Sequence, residues 1–116
     1  MQYLCLCYDE EKKLQAMPKS EWDAIVREVY ATNEELRQKG HLIAAQALQS
    51  VRTATTVRVR NGKVSTTDGP FAETKEQLGG FFLINARDLK EAIQVASKLP
   101  GARLGCIEVR PVTELS

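Results

Sequence analysis

Residues 67–82 read TDGPFAETKEQLGGFF, and the turn and strand that they encode organise the rest of the chain. Pro70 fixes its own φ, is well placed to begin a helical turn, and pushes the residue before it toward extended backbone. Asp68 is typical of turns in which a carboxylate accepts hydrogen bonds from the amides that follow. Two interpretations remain open. The commoner is a capped turn that leads into a core strand; the other is a rigid loop that directs Asp68, Glu73 and Lys75 into a cleft.

The composition is that of one globular domain. The 116 residues, 43% hydrophobic and 27% charged, are enough for a single core and too few for two. A net charge of +1 provides no long-range field to attract nucleic acid or an anionic membrane. No apolar segment is long enough to cross a bilayer, and the first residues lack the basic start of a signal peptide. We therefore expect a cytoplasmic protein that binds neither nucleic acid nor membranes.

The cysteines and the single histidine argue against a metal site. Cys5 and Cys7 are two residues apart, so on a strand their α-carbons would be about 7 Å apart, a poor geometry for a disulfide. No Cys-x-x-Cys spacing is present. The neighbours of all three cysteines, including Cys106, are mostly apolar, which favours buried and inert thiols. The sequence predicts neither a metal nor a cofactor.

Hydrophobic periodicity predicts the order strand, helix, strand, hairpin, strand, helix, strand. Asn61-Gly62 is the turn pair of a tight hairpin, and Gly40 is placed to end the first helix. Ser20 and Asp88 each begin a capping box. In chain order, the predicted elements span residues 3–8, 21–39, 41–48, 55–60, 63–67, 77–86, 89–99 and 103–112, with a connector at residues 9–19.

Without the hairpin, this order is the α+β, ferredoxin-like βαββαβ arrangement. Right-handed crossovers place both helices on one face of the sheet. The strands at residues 3–8 and 81–84 are nevertheless apolar on both sides, so a large apolar face lacks cover. Its burial favours a homodimer through the open sheet face, with a small-molecule cavity between the sheets. The glycine pair 79–80 indicates a bulge or a close backbone approach.

Residues 55–62, which read TTVRVRNG, and residues 67–80 resemble the DGPF branch of the YCII-related domain family. The likeness extends from Tyr3 to Val112, and the DGPFAETKE core at residues 68–76 is a specific match. The resemblance implies a dimeric α+β barrel. It implies less about activity: most DGPF-type proteins have no assigned reaction, better studied YCII-related proteins use a histidine–aspartate pair, and one group removes chloride from a ring-cleavage product.

The candidate catalytic residues are Asp68, which lies in the matched motif, and His41. The family histidine lies in the first helix, where this chain has none; His41 is the only histidine and follows the glycine that ends that helix. A helix C-terminus favours the protonated imidazole. If Asp68 reaches His41, the pair could relay a proton near neutral pH. The alternative is a surface histidine at the start of a strand.

Four further residues are candidates for substrate binding: Tyr8, Phe71, Glu73 and Lys75. Lys75 could pair with a substrate carboxylate, and Tyr8 could present its hydroxyl to the cleft. A solvated turn and a core tyrosine explain the same residues without a ligand. The basic residues of the hairpin are expected to form its polar outer face.

Two functions remain open. The first is a homodimeric enzyme or binder that holds a small organic anion with acid/base residues in an apolar cleft. The second is a non-catalytic regulatory or interaction module, linked to an alternative sigma factor because DGPF-type genes neighbour genes for sigma factors of the extracytoplasmic-function type. An inward-facing Asp68 with a titratable neighbour would favour the first function. An Asp68 held entirely by backbone amides, with no cavity, would favour the second.

Overall fold

The computed structural model of the protein describes residues 1–115. It contains a four-stranded sheet, a separate two-stranded hairpin and four helices. The strands are β1 (Gln2–Asp9), β2 (Leu42–Ala47), β3 (Thr55–Arg60), β4 (Lys63–Asp68), β5 (Gln77–Asn85) and β6 (Cys106–Pro111). The helices are α1 (Glu11–Gln15), α2 (Lys19–Gln38), α3 (Leu89–Ser97) and α4 (Gly101–Leu104), and a 3-10 turn spans Val51–Thr53.

The four-stranded sheet has the order β2-β5-β1-β6, and every neighbouring pair is antiparallel. This is the ferredoxin-like α+β arrangement that the sequence predicts. The β3–β4 hairpin is an addition to it and shares no ladder with the four-stranded sheet. A short helical turn, α1, occupies the predicted connector.

The helices pack on one face of the sheet because alternate side chains of the central strands point toward them. Tyr3 is paired with Ile84 on the neighbouring strand, and both are buried. The core consists of Tyr3, Cys5, Leu36, Ile84, Ala86, Ala92, Val95, Ala96 and Leu99. The chain is only 19 Å thick and about 47 Å across in the other two directions, as a sheet with one helical layer requires.

The opposite face of the sheet carries the other alternating set of apolar residues. Leu4 is paired with Leu83 and Leu6 with Phe81. All four side chains are half-buried, and none belongs to the core cluster of the described residues. The expected open apolar face is therefore present in the chain.

Two local predictions are confirmed by backbone geometry. Gly40 has a φ of +77°, and the N–H of His41 donates to the Leu36 carbonyl at 2.8 Å, which ends α2 in a Schellman motif. Asn61 and Gly62 have φ values of +52° and +77°, as a type I′ hairpin turn requires.

The two predicted capping boxes have different outcomes. Asp88 Oδ1 accepts a bond of 2.9 Å from the N–H of Glu91, which confirms the cap of α3. The box at Ser20 is wrong, because α2 begins at Lys19 with Pro18 as its N-cap and no side-chain cap. Pro18 itself has extended backbone, and its carbonyl accepts from the N–H groups of Glu21 and Trp22 at 3.1 and 3.0 Å, so the first turn of the helix already includes Ser20.

Two further predictions are corrected, one for the last strand and one for the burial of the cysteines. The last strand begins at Cys106 rather than Arg103, because Pro100 initiates the short helix α4. Cys5 is buried as predicted, whereas Cys7 is half-buried and Cys106 is exposed. The edge position of β6 explains the exposure of Cys106, since only one neighbouring strand shields it.

The turn at Asp68 differs from its prediction. Gly69 has a φ of +101° rather than extended backbone, which glycine adopts readily because it has no Cβ. Its N–H donates to the Ala54 carbonyl at 2.7 Å, and its carbonyl accepts from Thr56 Oγ1 at 2.8 Å. Within residues 1–115 the Asp68 side chain accepts no bond from the following amides, and no helical turn follows Pro70.

Candidate functional site

A cleft of about 530 Å³ opens where α1, the start of α2 and the end of β2 meet. Leu14, Met17, Trp22 and Leu48 provide much of its apolar wall. Trp22 and Leu48 are 41% and 47% exposed, so large apolar surfaces face the solvent at this point. Partly exposed apolar side chains beside a few polar groups are the usual composition of a small-molecule site.

Asp9, the last residue of β1, lies in this cleft. Its carboxyl is half-buried, and its pKa is raised by burial first and then by the negative charges of Glu11 and Glu76. Burial raises a carboxyl pKa because it disfavours the charged form. Among the described residues, no donor forms a hydrogen bond or ion pair with the Asp9 side chain. An available carboxyl in a cleft can donate or accept a proton.

The glycine pair makes room for this carboxyl. The pairing of β1 with β5 shifts between Cys7 and Tyr8, so Gly79 is the extra residue of a β-bulge and the predicted irregularity is confirmed. A Cβ on Gly79 would lie 3.2 Å from Asp9 Oδ2, and one on Gly80 would lie 2.8 Å from the Gln46 carbonyl oxygen. Gly80 therefore has no room for a side chain, whereas at Gly79 an added Cβ would have to displace the Asp9 carboxyl slightly.

Glu11 lines the same cleft, but its carboxylate is already occupied. Oε1 accepts a bond from the N–H of Val51 and Oε2 accepts one from Ser50 Oγ, each at 2.9 Å. The N–H of Glu11 donates to Gln77 Oε1 at 3.0 Å, and Gln77 Nε2 donates to the Thr74 carbonyl at 2.6 Å. Glu11 therefore holds the base of the hairpin, which leaves Asp9 as the available acid of the two.

The structure does not bring His41 and Asp68 together within one chain. His41 Nδ1 lies 2.9 Å from the Asn85 carbonyl, at the C-terminal end of β5. Asp68 is exposed at the base of the hairpin. The hairpin follows β2, whose last residue, Ala47, is paired with Gly80 near the other end of β5. The proton relay between them stays a prediction, and it would need a second chain to join the two residues.

The predicted substrate-binding residues lie outside the cleft. Tyr8 is on the open sheet face, paired with Leu78 and Cys106. Phe71 is 82% exposed, and Glu73 is also exposed. Lys75 Nζ lies 3.7 Å from Glu10 Oε1, in an ion pair at the surface.

Sequence reasoning missed Asp9 and Trp22 as site residues. One signal could have indicated Asp9: an acidic residue directly ends a strand that is apolar on both faces. The bulge glycines marked the place that the carboxyl approaches, but the approach joins residues 70 positions apart. Only the register of β1 against β5 establishes it.

Comparisons with known proteins agree with this architecture. The ferredoxin-like α+β fold with an added hairpin defines the class of protein, and the chain matches the YCII-related domain over residues 1–116. It is 39% identical over 114 residues to an uncharacterised protein of Rhizobium meliloti (strain 1021), an alignment that covers 97% of this chain and 92% of that protein. The chain belongs to the YCII-related domain family.

Within residues 1–115, no group of three or more His, Cys, Asp or Glu side chains is placed to hold a metal ion. No described helix is both long and apolar enough to span a bilayer.

Proposed function

We propose that the protein is a small-molecule enzyme or binder that works in the cleft around Asp9. The observation that carries this proposal is a half-buried carboxyl with a raised pKa and no hydrogen-bond partner among residues 1–115, in a cleft of about 530 Å³. Groups with this combination of burial and charged neighbours cluster at functional sites.

The lining suggests the chemistry of the ligand. Trp22, Met17 and Leu48 offer apolar surface for a ring or a branched hydrocarbon. When it is protonated, Asp9 can donate a hydrogen bond to a carboxylate or carbonyl oxygen. Lys19, which is paired with Asp23 at 3.2 Å, also lines the cleft and carries positive charge. A small organic acid with an apolar body fits these groups, with Asp9 as the proton donor or acceptor.

We further propose that the protein works as a homodimer. Leu4, Leu6, Phe81 and Leu83 form an apolar surface on the open sheet face, without a layer of described residues over it. Burial of such a surface is favourable by about 25 cal/mol per Å². A two-fold axis lets the open sheet face of one chain pack against the same face of a second chain. The cleft of Asp9 lies among α1, α2 and β2, so each subunit carries its own site.

The cleft contains the only tryptophan of the chain, which makes its occupancy measurable. Benzoic, salicylic and phenylacetic acids are titrated while the fluorescence of Trp22 is followed. We expect saturable quenching, with an affinity at least about tenfold lower in Asp9→Ala, because the side chain that forms a hydrogen bond with the charged ligand group is removed. The matched control, Asp68→Ala, changes an exposed aspartate of the same chain and should bind as the wild type does.

Two results would contradict the proposal. Quenching that is identical in the wild type and Asp9→Ala would show that the Asp9 side chain does not contact the ligand. A loss confined to Asp68→Ala would move the site to the base of the hairpin.

A second candidate function is a regulatory or interaction module that contacts an alternative sigma factor. The observation that favours it is Phe71, a large aromatic residue that is 82% exposed in the loop after β4. Exposed aromatic residues are common anchors of protein interfaces. For this function, Phe71→Ser should abolish binding to a purified sigma factor of the extracytoplasmic-function type and leave the Trp22 titration unchanged.

A further inference from the structure

The β3–β4 hairpin has two chemically different faces. Val59 is paired with Val64 across the two strands, and Val57 with Thr66, so the three valines share one face. These three valines, the valine face, are 61%, 56% and 70% exposed in the order Val57, Val59 and Val64.

The opposite face of the hairpin is basic. Arg60 is paired with Lys63 and Arg58 with Ser65, so the three cations project away from the valine face. This alternation is typical of a strand pair with one buried and one solvated side. The valine face therefore has the pattern of a buried surface, although no described residue buries it.

An isolated two-stranded hairpin is at best marginally stable in water, because it cannot bury enough apolar surface. Neither β3 nor β4 pairs with the four-stranded sheet. The radius of gyration of the chain is 16.1 Å, whereas a compact domain of this length has a value of about 13 Å. The hairpin thus projects from the domain as an arm.

We propose that the hairpin is a dimerisation arm whose valine face packs on a second copy of this chain. The inference rests on the homodimer proposed above and extends it. A second copy presents an open sheet face as well as an arm of its own, so a two-fold dimer offers apolar surface to both arms.

The area of the valine face determines the role of the arm. Each valine offers roughly 100 Å² of apolar surface, so the three exposed valines present on the order of 200 Å² per chain. Stable interfaces bury about 1,200–2,000 Å² in total. The arm is too small to hold two chains alone and adds to the interface that the sheet faces form.

The test compares two double variants on adjacent cross-strand pairs. Val59→Ser with Val64→Ser removes most of the valine face. Arg60→Ser with Lys63→Ser is the matched control on the basic face. Sedimentation equilibrium measures the dimer dissociation constant. We expect an increase of at least about tenfold for the valine variant and less than about threefold for the control.

A second measurement uses the wild-type protein, so it does not depend on whether a variant folds. Valine-methyl-labelled protein is mixed with unlabelled protein, and isotope-filtered NOEs are recorded between chains. We expect NOEs from the methyl groups of the valine face to protons of the other copy. The arm alone would be overturned by two results together. These are a dimer that shows no such NOEs from the valine methyl groups, and a dissociation constant that the valine variant leaves unchanged.

A wild-type protein that sediments as a monomer would overturn both the arm and the homodimer, and would leave the valine face for a different protein. The binding of small acids in the cleft is judged separately from the Trp22 titration. The failure of each proposal is therefore distinguishable from the failure of the others.

Discussion

The carboxylate of Glu11 accepts a hydrogen bond of 2.9 Å from the backbone N–H of Val51, 40 residues further along the chain. Its second oxygen accepts a bond from Ser50, the N-cap of the 3-10 turn that leads into β3. Side-chain oxygens that satisfy loop amides fix the path of the backbone. One residue of α1 thus sets the point at which the hairpin leaves the domain.

Replacement of Glu11 should loosen the base of the hairpin. Glu11→Ala leaves the N–H of Val51 and the hydroxyl of Ser50 without their partner, at a cost of about 1–3 kcal/mol in the free energy of unfolding. Urea denaturation measures this loss, and hydrogen exchange should show faster exchange at Val51. Glu73→Ala, at an exposed glutamate of the loop after β4, should change neither quantity. Equal stability of both variants would show that the contact does not hold the hairpin.

Alanine substitutions at three glycines should differ in their cost. An added Cβ would lie 2.0 Å from the Tyr8 carbonyl oxygen at Gly105, 2.8 Å from the Gln46 carbonyl oxygen at Gly80, and 3.2 Å from Asp9 Oδ2 at Gly79. Backbone atoms yield less than a side chain, so we expect the loss of stability to be largest for Gly105→Ala, smaller for Gly80→Ala and smallest for Gly79→Ala. The losses at Gly105 and Gly80 should reach about 1–3 kcal/mol or more.

Thermal and urea unfolding of the three variants test this order. Gly79→Ala should fold nearly as well as the wild type but should bind small acids differently, because the Asp9 carboxyl must move. Gly79→Ala as the least stable of the three would contradict the expected order.

The raised pKa of Asp9 predicts a specific dependence of stability on pH. The folded protein holds this proton more tightly than the unfolded chain, so the free energy of unfolding falls as pH rises from the ordinary Asp value of 3.8 through the folded pKa. Above the folded pKa, Asp9 is ionised in both states, and its unfavourable contribution to the free energy of unfolding no longer changes with pH. Asp9→Asn carries no such charge, and its stability relative to the wild type should increase over the same window.

Urea denaturation of both proteins between acid and neutral pH checks this difference. Subtraction of the two stability curves removes the contributions of the other carboxyls. One of these is Glu91, whose pKa is lowered chiefly by the hydrogen bond from the Arg87 backbone. A difference that stays flat with pH would show that the Asp9 pKa is not raised.

The two predicted capping boxes give a paired test of helix capping. Asp88→Ala removes the oxygen that accepts from the N–H of Glu91 and should cost about 1 kcal/mol. Ser20→Ala removes no cap, since α2 begins after Pro18, and should change stability only slightly. Chemical denaturation compares the two variants. A larger loss at Ser20 than at Asp88 would contradict the assignment of the N-caps.

The sequence by itself determined the local geometry and the class of fold. The Asn61-Gly62 turn, the Gly40 helix end and the Asp88 cap depend on backbone conformations and bonds within a few residues, so residue type is sufficient to predict them. The order of elements and the two apolar sides of β1 and β5 gave the ferredoxin-like sheet and its open face. The same local reasoning failed at Ser20, where the preceding proline began the helix first.

Only the tertiary structure decided where the carboxyl of the candidate site lies. Asp9 meets Gly79 through the register of two strands and shares a cleft with Trp22, which is 13 residues further along the chain, and neither relationship has a local signature. Its pKa depends on burial and on the charges of Glu11 and Glu76, which long-range folding brings near. A proton affinity is set by the surroundings of a group, and residue type alone specifies only the value in water.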